Sequence, residues 1–435
     1  MRAVKEFLLN QDRETSLPIA RERKPRTGRG SAQIDAEGGY LVINTKFASA
    51  SHNPREKRQL RERLKWERLH TVRGLLRGAK SEKLQKSRTV KCMYVPVAFA
   101  VEHWKIGEEK AYLKSVVTCG TRSTCPLCNE KISAYDREEL QEGLARVFAK
   151  GWFVLLITYT LRHDRFMSCA ESLDKLLKAA RRVKSGRRWQ EIKKRYGIQG
   201  SITALENTFS FLNGHHPHKH TLEILERDLS EAEIKALRDE IAELYLAELR
   251  RVGADADFEI AVDVKRGNDY VAEYVSKFGH EPKVKSFGVS YEMANYSGKT
   301  KGAEFGHYTM MQLVDLAGDG NEDAGKAFLD YALAFRGRWM LQWSNGLRAK
   351  LDMPTKEKTD KEKAKMSDEE KAEKRLFALY NTKAEKGFRK VRNHLADVMP
   401  DSLGKDFHAF KEYLNAKDME VENPVFEIVD EGFDE

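Results

Sequence analysis

An α+β fold built on a mainly antiparallel sheet is what this sequence predicts, and three observations carry the prediction. Two strand-like runs, Ser201 to Phe211 and Gly214 to Leu222, flank Asn213-Gly214, a dipeptide that tolerates the positive φ of a tight hairpin turn. A strand-sized apolar run, Phe153-Val154-Leu155-Leu156-Ile157-Thr158-Tyr159-Thr160-Leu161, precedes them, and Phe258 to Val264 reads as a further short strand. Apolar residues recur at helical spacing over 169–183 and 230–251, so helices alternate with strands around hairpins.

The chain of 435 residues divides as follows. Residues 1–52 are polar, Arg-rich and broken by Gly and Pro, and are expected to be an irregular basic segment. Within 53–91, Leu60, Leu64, Leu69, Val72 and Leu76 mark an amphipathic helix that ends at Gly78. Residues 55–91 hold 14 Lys/Arg against 4 Glu, a net of +10 that equals the formal charge of the whole chain. A block of that density is either an electrostatic footprint for a phosphate backbone or a solvated helix face. Residues 92–150 form a cysteine-bearing module joined to a helix through Leu140 to Phe148, and residues 151–353 form the principal domain. A mixed Lys/Glu run over 354–375 reads as a linker or a solvated helix, and 376–435 as a helical piece from Leu376 to Leu414 with an acidic tail. No apolar stretch reaches the ~18 residues of a membrane span, and the start lacks the apolar core of a secretory signal. The expected compartment is the cytoplasm.

Gly214-His215-His216-Pro217-His218-Lys219-His220 places imidazoles at alternate positions of a strand, so His218 and His220 share a face and can bind one ion. His216 is an alternative ligand or a donor behind the ligands. Glu206 lies on the hairpin partner and is a candidate oxygen ligand, beside either histidine or one pair away, because the sequence leaves the register open. Tyr270, Tyr274 and Lys277 stand at i, i+4 and i+7 of a helical segment and share one face. A phenol, with a pKa near ~10, needs a neighbouring cation or a polarised electrophile before it attacks at neutral pH. Cys119, Cys125 and Cys128 have the spacing of a zinc knuckle, with Pro126 favouring its turn; Cys92 is the choice for a fourth ligand, and His103 and Cys169 are its rivals. Four thiolates would close a structural zinc site. Ser297-Gly298-Lys299-Thr300 resembles the end of a phosphate loop, but Met293 stands where its first glycine belongs, so ATP hydrolysis is not indicated.

Together the histidine and tyrosine segments resemble the HUH endonuclease superfamily, and within it the initiators of rolling-circle plasmid replication. His216-Pro217-His218-Lys219-His220 is similar to the His-Pro-His-x-His form of those initiators, although Lys219 departs from the hydrophobic middle position of the wider superfamily. Thr158-Tyr159-Thr160 resembles the end of their first strand motif, Ala204-Leu205-Glu206 their acidic strand, and Tyr274-Val275-Ser276-Lys277 their tyrosine motif. Trp343-Ser344-Asn345-Gly346-Leu347 is similar to a further segment of the same proteins, and the likeness spans roughly residues 90 to 353. Some relatives carry Glu four residues before the nucleophile; Tyr270 stands there instead, as in two-tyrosine members, and Glu273 is placed to pair with Lys277.

The resemblance implies a bacterial, metal-dependent, site-specific single-strand DNA endonuclease and strand transferase. Mg²⁺ or Mn²⁺ would sit on His218, His220 and Glu206, Tyr274 would form a 5′-phosphotyrosine, Tyr270 would be the second nucleophile, and Lys277 would stabilise developing charge. Cysteine-rich segments in such initiators agree with Zn²⁺ on Cys92, Cys119, Cys125 and Cys128. The implied partners are plasmid origin DNA, a host helicase and a DNA polymerase. A two-tyrosine HUH transposase and a non-catalytic, zinc-containing DNA-binding regulator are the alternatives.

Overall fold

The computed structural model describes residues 54–98, 100–106, 110–267, 306–369, 374–380 and 392. In chain order these form helix α1 (Pro54–Gly78), strands β1 (Ala100–Ile106) and β2 (Lys110–Lys114), α2 (Pro126–Ala149), β3 (Phe153–Tyr159), α3 (Cys169–Ser185), α4 (Arg187–Arg195), β4 (Ile198–Ser210), β5 (Gly214–Leu225), α5 (Glu231–Arg251), β6 (Val262–Arg266), α6 (Met310–Gly318), α7 (Glu322–Ala334), β7 (Leu341–Trp343), α8 (Asp360–Glu369) and β8 (Lys374–Tyr380), with short helical turns between some of them.

The principal sheet has five strands in the order β6-β3-β5-β4-β7, and every pairing is antiparallel. The architecture is therefore α+β, as the sequence predicts. The β4–β5 hairpin turns at Gly214 with φ +79°, and a Cβ there would meet the backbone of Asp164 and Arg165 at 2.8 and 2.9 Å. Glycine is required on both counts. Alternation puts Leu155, Ile157, Tyr159, Leu205 and Leu225 into one core with α3, α5, α6 and α7. Val154, Leu156, Ile202, Leu222 and Ile224 face the other way, onto Leu140, Leu144 and Val147 of α2.

Local chemistry explains the helix boundaries. Ser230 caps α5 in a reciprocal box with Glu233, and Thr309 and Gln312 do the same for α6. Asp257 accepts from the Glu259 N–H at 3.0 Å, and the resulting turn, Phe258–Ala261, occupies the first half of the run expected to be a strand; the strand itself starts at Val262.

The Trp343-Ser344-Asn345-Gly346-Leu347 segment has a structural task. Ser344 exchanges bonds with Ser201 at the sheet edge, Gly346 takes φ +79°, and the Trp343 ring lies against Gly143 of α2, where a Cβ would sit 2.4 Å from it.

Two stretches differ from expectation. The mixed-charge run forms α8 and docks: Lys363 is buried, with Nζ 2.7 Å from Asp136 Oδ1, while Arg122 bonds the other Asp136 oxygen. A preformed carboxylate held by one cation gives the lysine a reason to leave water. Gly120, at φ +61°, lets the α8 backbone approach, since its Cβ would meet Lys361 Cα at 2.5 Å. Further on, the piece expected to be helical from Leu376 begins as strand β8, paired antiparallel with β1 in a second sheet of order β2-β1-β8. The aromatic residues Phe377 and Tyr380 suit a strand once an open edge is present. Among the described residues no helix is long and apolar enough to cross a membrane.

Candidate functional site

The sheet face under α2 is apolar near Leu222 and Ile224 and becomes polar two residues further up β5, at His220, His218 and His216. Register settles what the sequence left open. Glu206 is directly opposite His218, and its Oε2 lies 3.0 Å from Nε2 of His220. The second ring nitrogen of His220 is 3.1 Å from Thr158 Oγ1 on β3, which is its cross-strand partner. His216 is held similarly, with Nε2 2.7 Å from Thr160 Oγ1. The imidazoles of His163 and His216 stack with centroids 4.1 Å apart, His218 follows at 4.1 Å, and His220 lies 6.0 Å beyond. Four imidazoles thus form a row that ends on a buried carboxylate.

Burial, and then the neighbouring His218, His163 and His307, push the His216 imidazolium down to about 2. Burial also lowers His163. Neutral imidazoles are the form that ligates metal. The donor atoms of His218, His220 and Glu206 are not drawn as tight as those of a compact cluster; among the described residues, Cys92, Cys119, Cys125 and Cys128 are the group whose ligand atoms all lie within 4.8 Å of one another.

His163, Thr158 and Thr160 belong to this site; the first-strand motif contains both threonines but gives none of the three a role. Their signal was positional: the first strand ends in polar residues, and Thr158 and Thr160 alternate in phase with the histidines. Tyr270, Tyr274 and Lys277 lie outside the described residues. The described chain on either side is anchored at Gly267, whose N–H bonds Val154, and at Tyr308, which pairs with Phe209.

All four clustered cysteines are buried. Sulfur separations are 3.5 Å for Cys92–Cys125 and Cys119–Cys128, and 3.7 Å for Cys92–Cys128. A tetrahedron with Zn–S bonds of about 2.3 Å has edges of about 3.8 Å, slightly longer than these separations, so small outward shifts of the sulfurs fit a zinc ion. Backbone N–H groups of Cys119, Thr121 and Cys128 point at the sulfurs of Cys92, Cys119 and Cys125 at 3.3 to 3.4 Å, and buried Arg73 donates to the Cys92 carbonyl at 2.5 Å. The three backbone N–H groups favour thiolate, whereas burial opposes it and pushes the Cys125 thiol up. The cluster could therefore hold a metal such as zinc. The rivals stand elsewhere: His103 is buried on β1, its imidazolium pushed down to about 3 by burial, and Cys169 opens α3, its N–H on Asp330 at 2.8 Å.

The basic block is divided between structure and surface. Arg68 makes two 2.7 Å bonds to Asp315 and Arg73 serves the cysteine loop, whereas Arg77, Lys80, Lys83, Lys86, Arg88 and Lys91 are exposed.

A curated protein of Streptomyces lividans named Protein rep is 27% identical to this chain over 303 residues, which cover 55% of this chain. The chain spans 64% of that relative's length. No family model matches the sequence, and no solved structure matches it.

Proposed function

We propose that this protein initiates plasmid replication by the rolling-circle route, as an HUH single-strand DNA endonuclease and strand transferase. The observation that carries the reading is the hairpin: His218 and His220 share one face of β5, and Glu206 of β4 stands opposite the first and bonds the second at 3.0 Å. Likeness to a protein named rep supports the replication context. His218, His220 and Glu206 would hold Mg²⁺ or Mn²⁺, with His216 in reserve; when bound, such an ion polarises a phosphate. Thr158 and Thr160 hold the outer ring nitrogens and so fix the imidazole planes.

On this reading the Tyr274 phenolate attacks the scissile phosphorus, the P–O3′ bond breaks, and the strand leaves with a free 3′-OH for a polymerase. Lys277 stabilises the developing charge, and Tyr270 acts in the closing transfer. The exchange of one phosphodiester for another needs no nucleotide hydrolysis. Origin DNA, a host helicase and a polymerase are the partners in this scheme, and the exposed cations after α1 would hold the duplex backbone. The cysteine cluster is proposed as a structural zinc site, closed to chemistry. It and the basic block also support a non-catalytic DNA-binding regulator. Incubation with Mn²⁺ and single strands from a circular replicon that carries the gene, followed by denaturing electrophoresis, separates the two: a covalent protein–DNA adduct is expected, and its absence with every strand of the replicon would leave the regulator.

A further inference from the structure

Lys219 sits between His218 and His220 in sequence and faces the opposite side of the sheet. It is buried, with Nζ 3.5 Å from the Thr221 hydroxyl and 5.1 Å from the centre of the Tyr159 ring. The function proposed above makes no use of it. On that far face it lines a cavity of about 600 Å³ that also receives Arg181, Lys184 and Arg338, and among the described residues no carboxylate lines the walls. Leu177 and Leu205 supply an apolar wall, and Trp339 lines the same space with 53% of its surface exposed.

These features ask for one kind of ligand. Cations without lining carboxylates select an anion, and an exposed indole beside an apolar wall selects a flat ring. A space of this size is within the range of small-ligand pockets, typically ~300–1,000 Å³. Fixed elements frame it. Arg338 donates to the Ala334 carbonyl at 2.7 Å and pairs with Asp174 of α3, which holds the backbone that carries Trp339. Lys184 is braced by buried Glu223 and by Ser201 at 3.3 Å.

We propose that the cavity on the far face of the histidine strand is a nucleotide-binding site, with the base stacked on Trp339 and the phosphate held by Lys219, Lys184 and Arg181. The site does not depend on strand cleavage. Its ligand is a nucleoside phosphate, either one unit of a single DNA strand or a free mononucleotide.

The test uses the full chain without added Mg²⁺ or Mn²⁺, so that metal-dependent cleavage is silent, and two probes: 5-iododeoxyuridine monophosphate, and octathymidylate with one 5-iodouracil. After irradiation, peptide mass spectrometry locates the cross-link and titration gives its half-saturation. A saturable cross-link in the peptide containing Trp339 is expected. Arg181→Glu, an exposed change on α3, should raise its half-saturation about tenfold, as expected for a lost charged hydrogen bond. Lys219→Met should do the same, with circular dichroism to check the fold. Saturation by the octamer alone assigns the site to a DNA strand, and saturation by the monophosphate assigns it to a free nucleotide. Cross-links confined to other peptides, or a half-saturation unchanged in Arg181→Glu, would overturn the proposal.

Discussion

Changing Cys125 to serine tests the cysteine cluster more sharply than changing any other member, because Cys125 has two tasks. It is the N-cap of α2, with Sγ accepting from the Cys128 N–H at 3.4 Å, and it is one corner of the sulfur tetrahedron. Serine is a better cap than cysteine and a far poorer zinc ligand. If capping were its only task, Cys125→Ser would change stability by less than ~1 kcal/mol, since loss of a cap costs about 0.5–2 kcal/mol and here the cap is kept. If the cluster holds zinc, the relevant scale is the ~10–16 kcal/mol of a structural site, or about 3 kcal/mol for each of four ligands. That is a large part of the ~5–15 kcal/mol that stabilises an ordinary domain. Zinc content by metal analysis and urea unfolding followed by circular dichroism read the two terms separately. The expected result is one zinc in the wild type, none in Cys125→Ser, and a stability loss of at least ~3 kcal/mol, since losing the ion forfeits more than one ligand's share, which excess chelator reproduces in the wild type. A variant as stable as the wild type, or a wild type indifferent to chelator, would refute the zinc assignment.

Three further outcomes are expected. Glu206→Gln and His220→Ala should each abolish the DNA adduct, as should chelator, while duplex binding stays within a few-fold, because the cationic surface carries that affinity; adduct formation at wild-type rate in chelator would contradict the metal role. Tyr274→Phe should remove the first adduct and Tyr270→Phe should nick but fail to complete transfer, as peptide mapping of the adduct in each variant will show; loss of the first adduct in Tyr270→Phe alone would reverse the assignment. Asp136→Ala should cost about 3–5 kcal/mol in urea unfolding, since Arg122 and Lys363 would lose the buried carboxylate they share; a loss under ~1 kcal/mol would mean that both cations reach water without it.

The parts of the fold that were legible in the sequence are those set by short-range rules. Asn213-Gly214 announced the hairpin, strand-like runs placed β3, β4 and β5, and helical spacing over 230–251 announced α5. The pairing of Glu206 with His218 was not legible, because a strand carries its period but not its partner's offset. The burial of Lys363 was hidden for a related reason: a Lys/Glu run reads as solvated unless Asp136, 227 residues earlier in the chain, is known to face it. Strand β8 exists because β1 offers an edge, and nothing in Lys374 to Tyr380 alone reports that edge. His163 was overlooked because its contact with His216 joins a loop after β3 to the start of β5.

The position of the histidines follows from where the core stops. Leu222 and Ile224 lie on the same face of β5 as His220 and are covered by α2, so the face changes from sealed to polar within one strand repeat. A one-residue slip of β5 would exchange the faces: the imidazoles would enter the core beneath α3 and α5, and Lys219 would meet Glu206. Two features oppose that slip. Leu222 and Ile224 would leave an apolar core for one already filled by Leu155, Ile157 and Leu205, and Gly214 would move from the close approach of Asp164 and Arg165 that no other residue fits. The packing that fixes the register thus also delivers His216, His218 and His220 to the side of Glu206 and sends Lys219 to the cationic cavity. One strand thereby presents two different chemistries on its two faces, separated by the thickness of a single sheet.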